Sequence, residues 1–414
     1  MKILVVSQIY WPEPFPTTDI CEGLRQLGHE VHVITDVPNY PMGYIYPEYK
    51  GRKRRREERN GVKITRTFTI GRRNNTIFRI LNYYSFAISS TVYSWFLKKD
   101  YDAVLAIQAS PIMMVNAALS YAKRTKKKCL FYTMDLWPAS LSAGGIAEDS
   151  PIYKLFGWIS RHLYRKADRI LITSTMFRQY LQNNFQIADD AIGYLPQYAT
   201  SQFDDLPQTP EKDTVDLMFA GNVGAAQSLT TVLDAAQLLK AADKLRFHIV
   251  GDGSELESLK KTAKEKGLSS VIFHGRKLPE QMPEYYAMAD AMLVTLTADP
   301  YVGLTLPNKV QSYMAAGKPI LAAANGEIPK VLAEANCGFC AEAENGKALA
   351  DAIQQFLQCP NRETLGQNAR AYYESHFTRQ QFMKILEQEL TALAVGTDQQ
   401  IPCRLDGRRI YQRE

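Results

Sequence analysis

Continuous apolar runs rich in Val, Ile and Leu recur along the chain, with amphipathic helical patterns between them. In the first half the runs are Lys2–Ser7, His29–Thr35, Lys63–Thr69, Ala103–Gln108, Lys128–Asp135, Arg169–Ser174 and Ile192–Gln197. In the second half they are Val215–Gly221, Leu245–Gly251, Val271–Gly275, Ala291–Leu296, Pro319–Ala323 and Gly338–Ala343. This alternation predicts an α/β protein with parallel sheets covered by helices on both faces. Most runs are apolar at consecutive positions, as strands buried on two faces should be. The stretch Tyr198–Thr214 breaks the pattern: it is polar, holds Pro207 and Pro210 and has no helical period, so it reads as a linker. The expectation is two Rossmann-like domains, residues 1–197 and 198–377. A helical pattern at Thr378–Val395 reads as crossing back to the first domain. The tail Gly396–Glu414 has mixed charge and no period and reads as mobile. Ligands of open α/β sheets bind at the carboxyl ends of strands, which places a substrate in a cleft between two facing sheets.

Length and composition agree with that plan. A chain of 414 residues exceeds one ordinary core, and 46% apolar with 22% charged residues is globular. The net charge of +6 suits an anionic partner without choosing one. The six cysteines are scattered, with one CxxC at Cys337–Cys340; a zinc ribbon needs a second pair, so reduced thiols in a cytosolic protein are expected. The opening MKILVVS is too short for a signal-peptide core and reads as a buried first strand.

Two neighbouring segments depart from this regularity. Lys50–Arg59 carries Lys50, Arg52, Lys53, Arg54, Arg55, Arg56 and Arg59. Ile77–Leu97 is rich in Tyr, Phe and Trp, has nearly the length of a membrane span, and is diluted by Arg79, Asn82 and serines. Three readings stand: a spanning helix, a buried helix beside a solvated charge run, or a surface-lying helix. The last would set its rings at the lipid headgroups, with Arg52–Arg59 as a basic collar.

Candidate chemistry clusters at strand ends. After the first strand comes QIYWPEPFPTT, stiffened by Pro12, Pro14 and Pro16, and then a helix expected near Asp19 with Glu22 completing a capping box. Such a loop can receive a substrate through Glu13, Pro14, Thr17 and Thr18, or be a plain turn. In YTMDLWPAS, Asp135 ends a buried strand and precedes Trp137, a fifth acceptor-side candidate; Asp135 can bind a hydroxyl, act as base, stabilise a cationic transition state, or merely cap the next turn. The second half opens with FAGNVGAAQS, where Gly221 and Gly224 permit close backbone approach to a ligand. VGDGSE at Val250–Glu255, with Gly251, has the same character. The strongest pattern is YVGLTLPNKVQSYMAAGKP. Pro307 reads as the first residue of a helix ending at Gly317, so the amides of Asn308 and Lys309 form an anion site with a cation beside it.

These segments together resemble the family-4 retaining glycosyltransferases: KILVVSQIYWPEP, LRQLGHEVHVITDVPNYP, DLWP, FAGNVGAAQSL, HIVGDGSE, FHGRKLPEQMPEYYAMADAMLV and LPNKVQSYMAAGKPIL. The branch most resembled is the bacterial colanic-acid and O-antigen fucosyl- and fucosaminyltransferases, over roughly Lys2–Leu393. The resemblance implies a GT-B fold, no metal requirement, and retention of anomeric configuration. It also implies a nucleotide-sugar donor held mainly by the second domain, with a uridine nucleotide favoured. It places base recognition on Gly275–Leu278, where Arg276 can stack or pair. The family's paired glutamates fall on Leu304 and Ser312, and its diphosphate-holding Arg and Lys near Asn222 and Gln227. Its histidine falls on Met134 and its first-loop glycines near Thr17–Thr18. One reading joins these departures: Lys309 supplies the diphosphate charge and Asp135 the polar role lost at Met134. Leu306, Pro307, Asn308 and Ser312 complete the donor set.

The acceptor implied is a polyprenyl-diphosphate-linked saccharide, and the location the inner face of the plasma membrane. A nucleotide-sugar epimerase of the same fold, or a non-catalytic sugar-nucleotide-binding subunit, remain alternatives. Basic and aromatic residues form no interleaved platform for nucleic acid.

Overall fold

The computed structural model describes residues 1–73, 75–142, 145–208 and 211–396. The chain divides into two compact units, Met1–Leu195 together with the chain from Met383 onward, and Pro196–Phe382. Beyond Gly396 the expected tail lies outside the described residues.

The first unit is built on eight strands: β1 (Lys2–Val6), β2 (Glu30–Thr35), β3 (Arg56–Arg59), β4 (Val62–Arg66), β5 (Ala103–Gln108), β6 (Cys129–Thr133), β7 (Arg169–Ile172) and β8 (Ile192–Tyr194). Their order is β3-β4-β2-β1-β5-β6-β7-β8, parallel except where β3 pairs antiparallel with β4. The second unit holds β9 (Val215–Ala220), β10 (Leu245–Val250), β11 (Val271–Gly275), β12 (Ala291–Thr295), β13 (Ile320–Ala323) and β14 (Gly338–Ala341). Their order is β11-β10-β9-β12-β13-β14, and every recorded pairing is parallel. In both sheets the central strands are sealed on two faces, which explains their unbroken apolar runs. Two separate apolar layers sandwich the second sheet, one containing Met218, Val310 and Tyr313 and the other Leu217, Phe219 and Leu293.

The strand that hydrophobic periodicity misses is β3. Its sequence, REER, has no apolar position to reveal it. As the edge of the sheet it needs none, and charge protects an edge from pairing with another chain. The local signal is Asn60-Gly61 between β3 and β4, both with positive φ, a tight hairpin turn. The basic run is therefore part hairpin. Arg55 donates to Thr67 O (2.6 Å), and Arg59 pairs with Glu22 (2.9 Å) and stacks on Trp11. Arg52, Lys53, Arg54 and Arg56 stay exposed.

The first helix spans Thr17–Gln26, two residues earlier than expected, with no side-chain cap. The capping box does not form, because Glu22 is engaged by Arg59 and Asn60. The aromatic segment is a helix, Thr76–Trp95, capped by Asn75, whose side chain accepts from Phe78 N (2.8 Å). No described helix is long and apolar enough to cross a membrane, which removes the spanning reading. Cys337 is buried, and Cys340 lies exposed in β14; both are free thiols.

The final helix, Arg379–Val395, closes the first unit through an ion pair. Glu389 takes Arg169 in two parallel bonds of 2.9 and 2.6 Å, with the carboxylate almost fully buried. Glu387 meets His29 at 3.0 Å beside it. Removing one partner of a buried pair leaves the other charge uncompensated. Glu389→Ala is therefore expected to lower the first unit's unfolding free energy by roughly 3 kcal/mol in urea titration, and Glu389→Gln by less.

Candidate active site

In the second unit the strand-end loops of β11, β10, β9 and β12 lie side by side in that order. Backbone bonds lace the first three: Gly251 N donates to Gly275 O (3.0 Å), Gly221 N to Val250 O (2.9 Å) and Val223 N to Asp252 O (2.9 Å). Gly251 cannot carry a side chain, since a Cβ there would stand 1.8 Å from Gly221 O. Its φ of +147° is also one that only glycine adopts readily. Space alone excludes a side chain at Gly253, where a Cβ would meet Val223 O at 2.3 Å.

Lys309 completes this arrangement from the β12 side. Its Nζ donates to Gln227 Oε1 (2.5 Å), lies 4.0 Å from the Phe219 ring centre, and would meet a Cβ on Gly221 at 3.2 Å. An amide oxygen and a ring face compensate a cation poorly, and burial pushes the ammonium down from its ordinary value to about 7. The lysine is thus held ready for an anion rather than neutralised. Gln227 is fixed in turn by Thr295, whose hydroxyl donates to Gln227 O.

The helix carrying Lys309 spans Asn308–Ala315; Pro307 occupies its cap instead of its first turn. Asn308 and Asn222 are exposed, Gly221 and Gly224 flank Asn222 on the β9 loop, and Ser312 Oγ turns back to Asn308 O (3.2 Å). Leu306 departs from its expected role. It is 4% exposed and packs with Val302, Val310 and Tyr313, anchoring the helix start in the core. Arg276 is exposed on the loop after β11, directly beyond Gly275, whose carbonyl binds Gly251. Sequence reasoning overlooks Tyr313. Its hydroxyl joins both N and O of Ala220 (3.0 Å each), clamping the end of β9 to the lysine-bearing helix. The signal lies in the helical spacing, which sets Tyr313 one turn beyond Lys309.

In the first unit, Asp135 follows β6 as expected. Ser110 Oγ donates to its Oδ2 (2.5 Å), and burial raises its carboxyl above the usual range against that bond. Gln108 and Tyr164 both donate to Asp135 O, at 3.0 and 3.3 Å, fixing the turn. Trp137 is buried, with its Nε1 donating to Ser110 Oγ (2.8 Å) and its ring edge on Phe156. It braces the Ser110–Asp135 pair and offers no surface to an acceptor.

Glu13 is likewise internal. Its Oε1 accepts from the amides of Asn39 (2.7 Å) and Tyr40 (2.6 Å), locking the β1 loop to the β2 loop, and burial pushes its carboxyl up to about 7. Asp36, whose carboxyl is also raised by burial, accepts from Asn39 Nδ2 (3.1 Å). Thr17 is fully buried against Ser7 (3.3 Å), whereas Pro14 is exposed and Thr18 partly so. Of the five acceptor candidates, Glu13, Thr17 and Trp137 are thus scaffold positions.

Two α/β units, each built on a largely parallel sheet with glycine-bearing loops at strand carboxyl ends in the second, have the architecture of a GT-B glycosyltransferase. Residues 17–197 match the Glycosyltransferase Family 4 model and residues 202–372 match Glycosyl transferases group 1, and the chain belongs to this family. A putative colanic acid biosynthesis glycosyl transferase of Escherichia coli is 27% identical over 93% of this chain and 98% of its own length. A probable glycosyltransferase of Pseudomonas aeruginosa is 27% identical over 64% and 68%. The fold is shared with sucrose-phosphate synthase from Thermosynechococcus elongatus (TM-score 0.75, 15% identity, 96% and 100% covered). It is shared too with the Anabaena protein HepE, solved with UDP (TM-score 0.69, 15% identity, 95% and 100% covered).

A diphosphate held by Lys309 would make affinity depend on pH. The ammonium is charged below about 7 in the free protein, so affinity for UDP, used as the probe, is expected to fall as pH rises through 7. Calorimetry above that pH should show proton uptake on binding. Lys309→Met should weaken UDP roughly tenfold, the size of one charged hydrogen bond, and remove this pH dependence. The variant should melt at a higher temperature, because a buried, poorly compensated cation is gone.

Glu13 ties stability, rather than affinity, to pH. A carboxyl with a folded value near 7 against 4.5 unfolded stabilises the fold below 4.5, and that contribution is lost as pH rises through 7. Glu13→Gln should flatten this loss in thermal melts across pH 4 to about 8.

Proposed function

We propose that the protein is a retaining glycosyltransferase. It moves a sugar from a nucleotide diphosphate, a uridine nucleotide in the first instance, to a polyprenyl-diphosphate-linked saccharide. The observation carrying this reading is the Lys309 ammonium set against the Gly221 loop at the start of a helix. There the donor diphosphate would take Lys309, the Asn308 amide and the backbone of Gly221–Gly224, with Asn222 and Gln227 as neutral partners. These groups are aimed where negative charge grows as the glycosidic bond breaks, so they stabilise the transition state more than the ground state. Lys309 and the amides provide this charge without a metal ion.

Arg276 and the backbone at Gly275 would face the base; the one-residue offset from Gly251 continues the row of loops away from the phosphates. Asp135 would position the acceptor hydroxyl. In front-face retention a donor phosphate oxygen accepts that hydroxyl's proton as the new bond forms on the face the leaving group departs, so no side-chain nucleophile is required. The Escherichia coli relative is named for colanic acid biosynthesis, which supports a bacterial polysaccharide as the product.

The test is transfer by purified protein. UDP, GDP and TDP are first ranked by thermal shift. Donors of the winning base are then offered with a lipid-linked acceptor, and the product's anomeric configuration is read by NMR. Asp135→Asn should lower kcat by about 10²-fold or more, the scale of a lost acid–base or positioning group, with donor affinity unchanged. Full activity of that variant, an inverted product, or strict dependence on an added divalent ion would each overturn part of the reading.

A further inference from the structure

The helix Thr76–Trp95 is folded inside out. Its inward face carries Asn82, Phe86, Ala87, Ser90 and Ser94, and the Ser90 and Ser94 hydroxyls turn back onto the helix's own carbonyls. Small residues there suit a close approach to the helix Asn116–Thr125, which packs beside it and buries Ala117, Ala118 and Ala122. The apolar residues point outward. Ile77, Ile80, Leu81, Ile88, Val92 and Trp95 are all exposed, Ile88 at 63% and Trp95 at 55%. Their spacing is that of one helical face, a stripe roughly 27 Å long at 1.5 Å per residue.

Beside the stripe lies an open groove of about 910 Å³ between the two helices. Ile88, Val92, Leu119 and Leu163 give it an apolar floor, and its rim carries Lys123, Lys126, Lys127 and Lys166, with Lys128 paired at 2.8 Å to the rim's one acidic residue, Asp168. The helix Pro151–Tyr164 borders it through Leu163, and elsewhere on its surface exposes Ile152, Leu155 and Trp158. None of the basic residues of Lys50–Arg59 lines it.

We infer that this face is a docking surface for a bilayer containing anionic phospholipid, with the stripe entering the acyl boundary and the lysines taking headgroup phosphates. Exposed apolar area of this extent, rimmed by one sign of charge, is the composition of an interfacial helix surface. Trp95 and Tyr84, both on the groove's lining, are ring types that settle where apolar and wet layers meet. A second copy of the chain is disfavoured by charge, because a two-fold contact would oppose lysines with lysines.

The lysines also stand at the wrong end of the sheet to hold the reacting acceptor. Lys127 and Lys128 immediately precede β6 and Lys166 precedes β7, so they mark the amino ends of strands whose carboxyl ends carry Asp135. Bulk phospholipid therefore fits them better than the acceptor diphosphate does. The inference rests on the lipid-borne acceptor only for its purpose, not for its chemistry.

The experiment is sedimentation with vesicles of phosphatidylcholine alone and with phosphatidylglycerol added. The wild-type chain should partition onto the anionic vesicles and release in high salt. Each lysine near such a surface accounts for about fivefold in partition, so Lys123→Gln with Lys127→Gln should lose roughly 25-fold. Ile88→Ser with Val92→Ser, both exposed, should lose binding with an unchanged melting temperature. Arg52→Gln with Arg54→Gln should bind as wild type.

Transfer to a short-chain, water-soluble acceptor should be equal in all of these variants. Equal partition onto both vesicle types, full binding by the lysine variant, or a dimer that Ile88→Ser dissociates without changing vesicle binding would overturn the inference. If soluble transfer is absent throughout while vesicle binding follows this pattern, the transferase reading fails and the docking surface stands.

Discussion

The contact between Gly251 and the Gly221 carbonyl leaves no room for a side-chain atom. Because these backbones touch, the loops after β9 and β10 share hydrogen bonds and behave as one ledge, to which the loop after β11 is tied through Gly275. Tyr313 bolts the end of β9 to the next helix, and Lys309, on that same helix, is thereby delivered to Gly221. A ligand-facing surface made this way is mostly backbone. On the function proposed above, such a surface could hold a diphosphate with neutral Asn222 and Gln227 beside it. One desolvated lysine and fixed amides act in place of several mobile cations, and the cost is a buried charge that the ligand, not the protein, compensates.

The first unit places strain of the opposite sign at the same end of its sheet. Glu13, Asp36 and Asp135 are carboxyls whose values burial raises. Glu13 and Asp36 meet through Asn39 and fix the loops after β1 and β2, whereas Asp135 is held by Ser110 and braced by Trp137. The distinction is chemical as well as positional. Glu13 accepts two backbone amides and has become part of the frame, while Asp135, held by a single hydroxyl, keeps the capacity to bind another.

The two basic features of the first unit differ in what surrounds them. The arginine-rich run closes a hairpin at the sheet edge, where Arg55 and Arg59 are used internally. The lysines of the Lys123–Lys128 stretch follow a helix and face a groove with one carboxylate among them. Guanidinium groups suit fixed, directional bonding within the fold, and ammonium groups on long stems suit a diffuse anionic surface.

The sequence by itself determined the strands, because unbroken apolar runs can only be buried on two faces, and it determined the order of alternating elements and the motif that carries Lys309. It left β3 unseen, since an edge strand of four charged residues has no apolar period. It also could not separate Asp135 from Glu13, or Asn308 from Leu306, because a residue's presence at a strand end does not say which way it turns. Tertiary structure decided those questions through packing: Leu306 joined the core, Glu13 and Trp137 became scaffold, and Tyr313 became the clamp. It also turned the aromatic helix so that its serines face inward and its isoleucines outward. Composition alone gives the opposite expectation, and only the neighbouring helix, close-packed through alanines, shows why the small polar face was the one that fits.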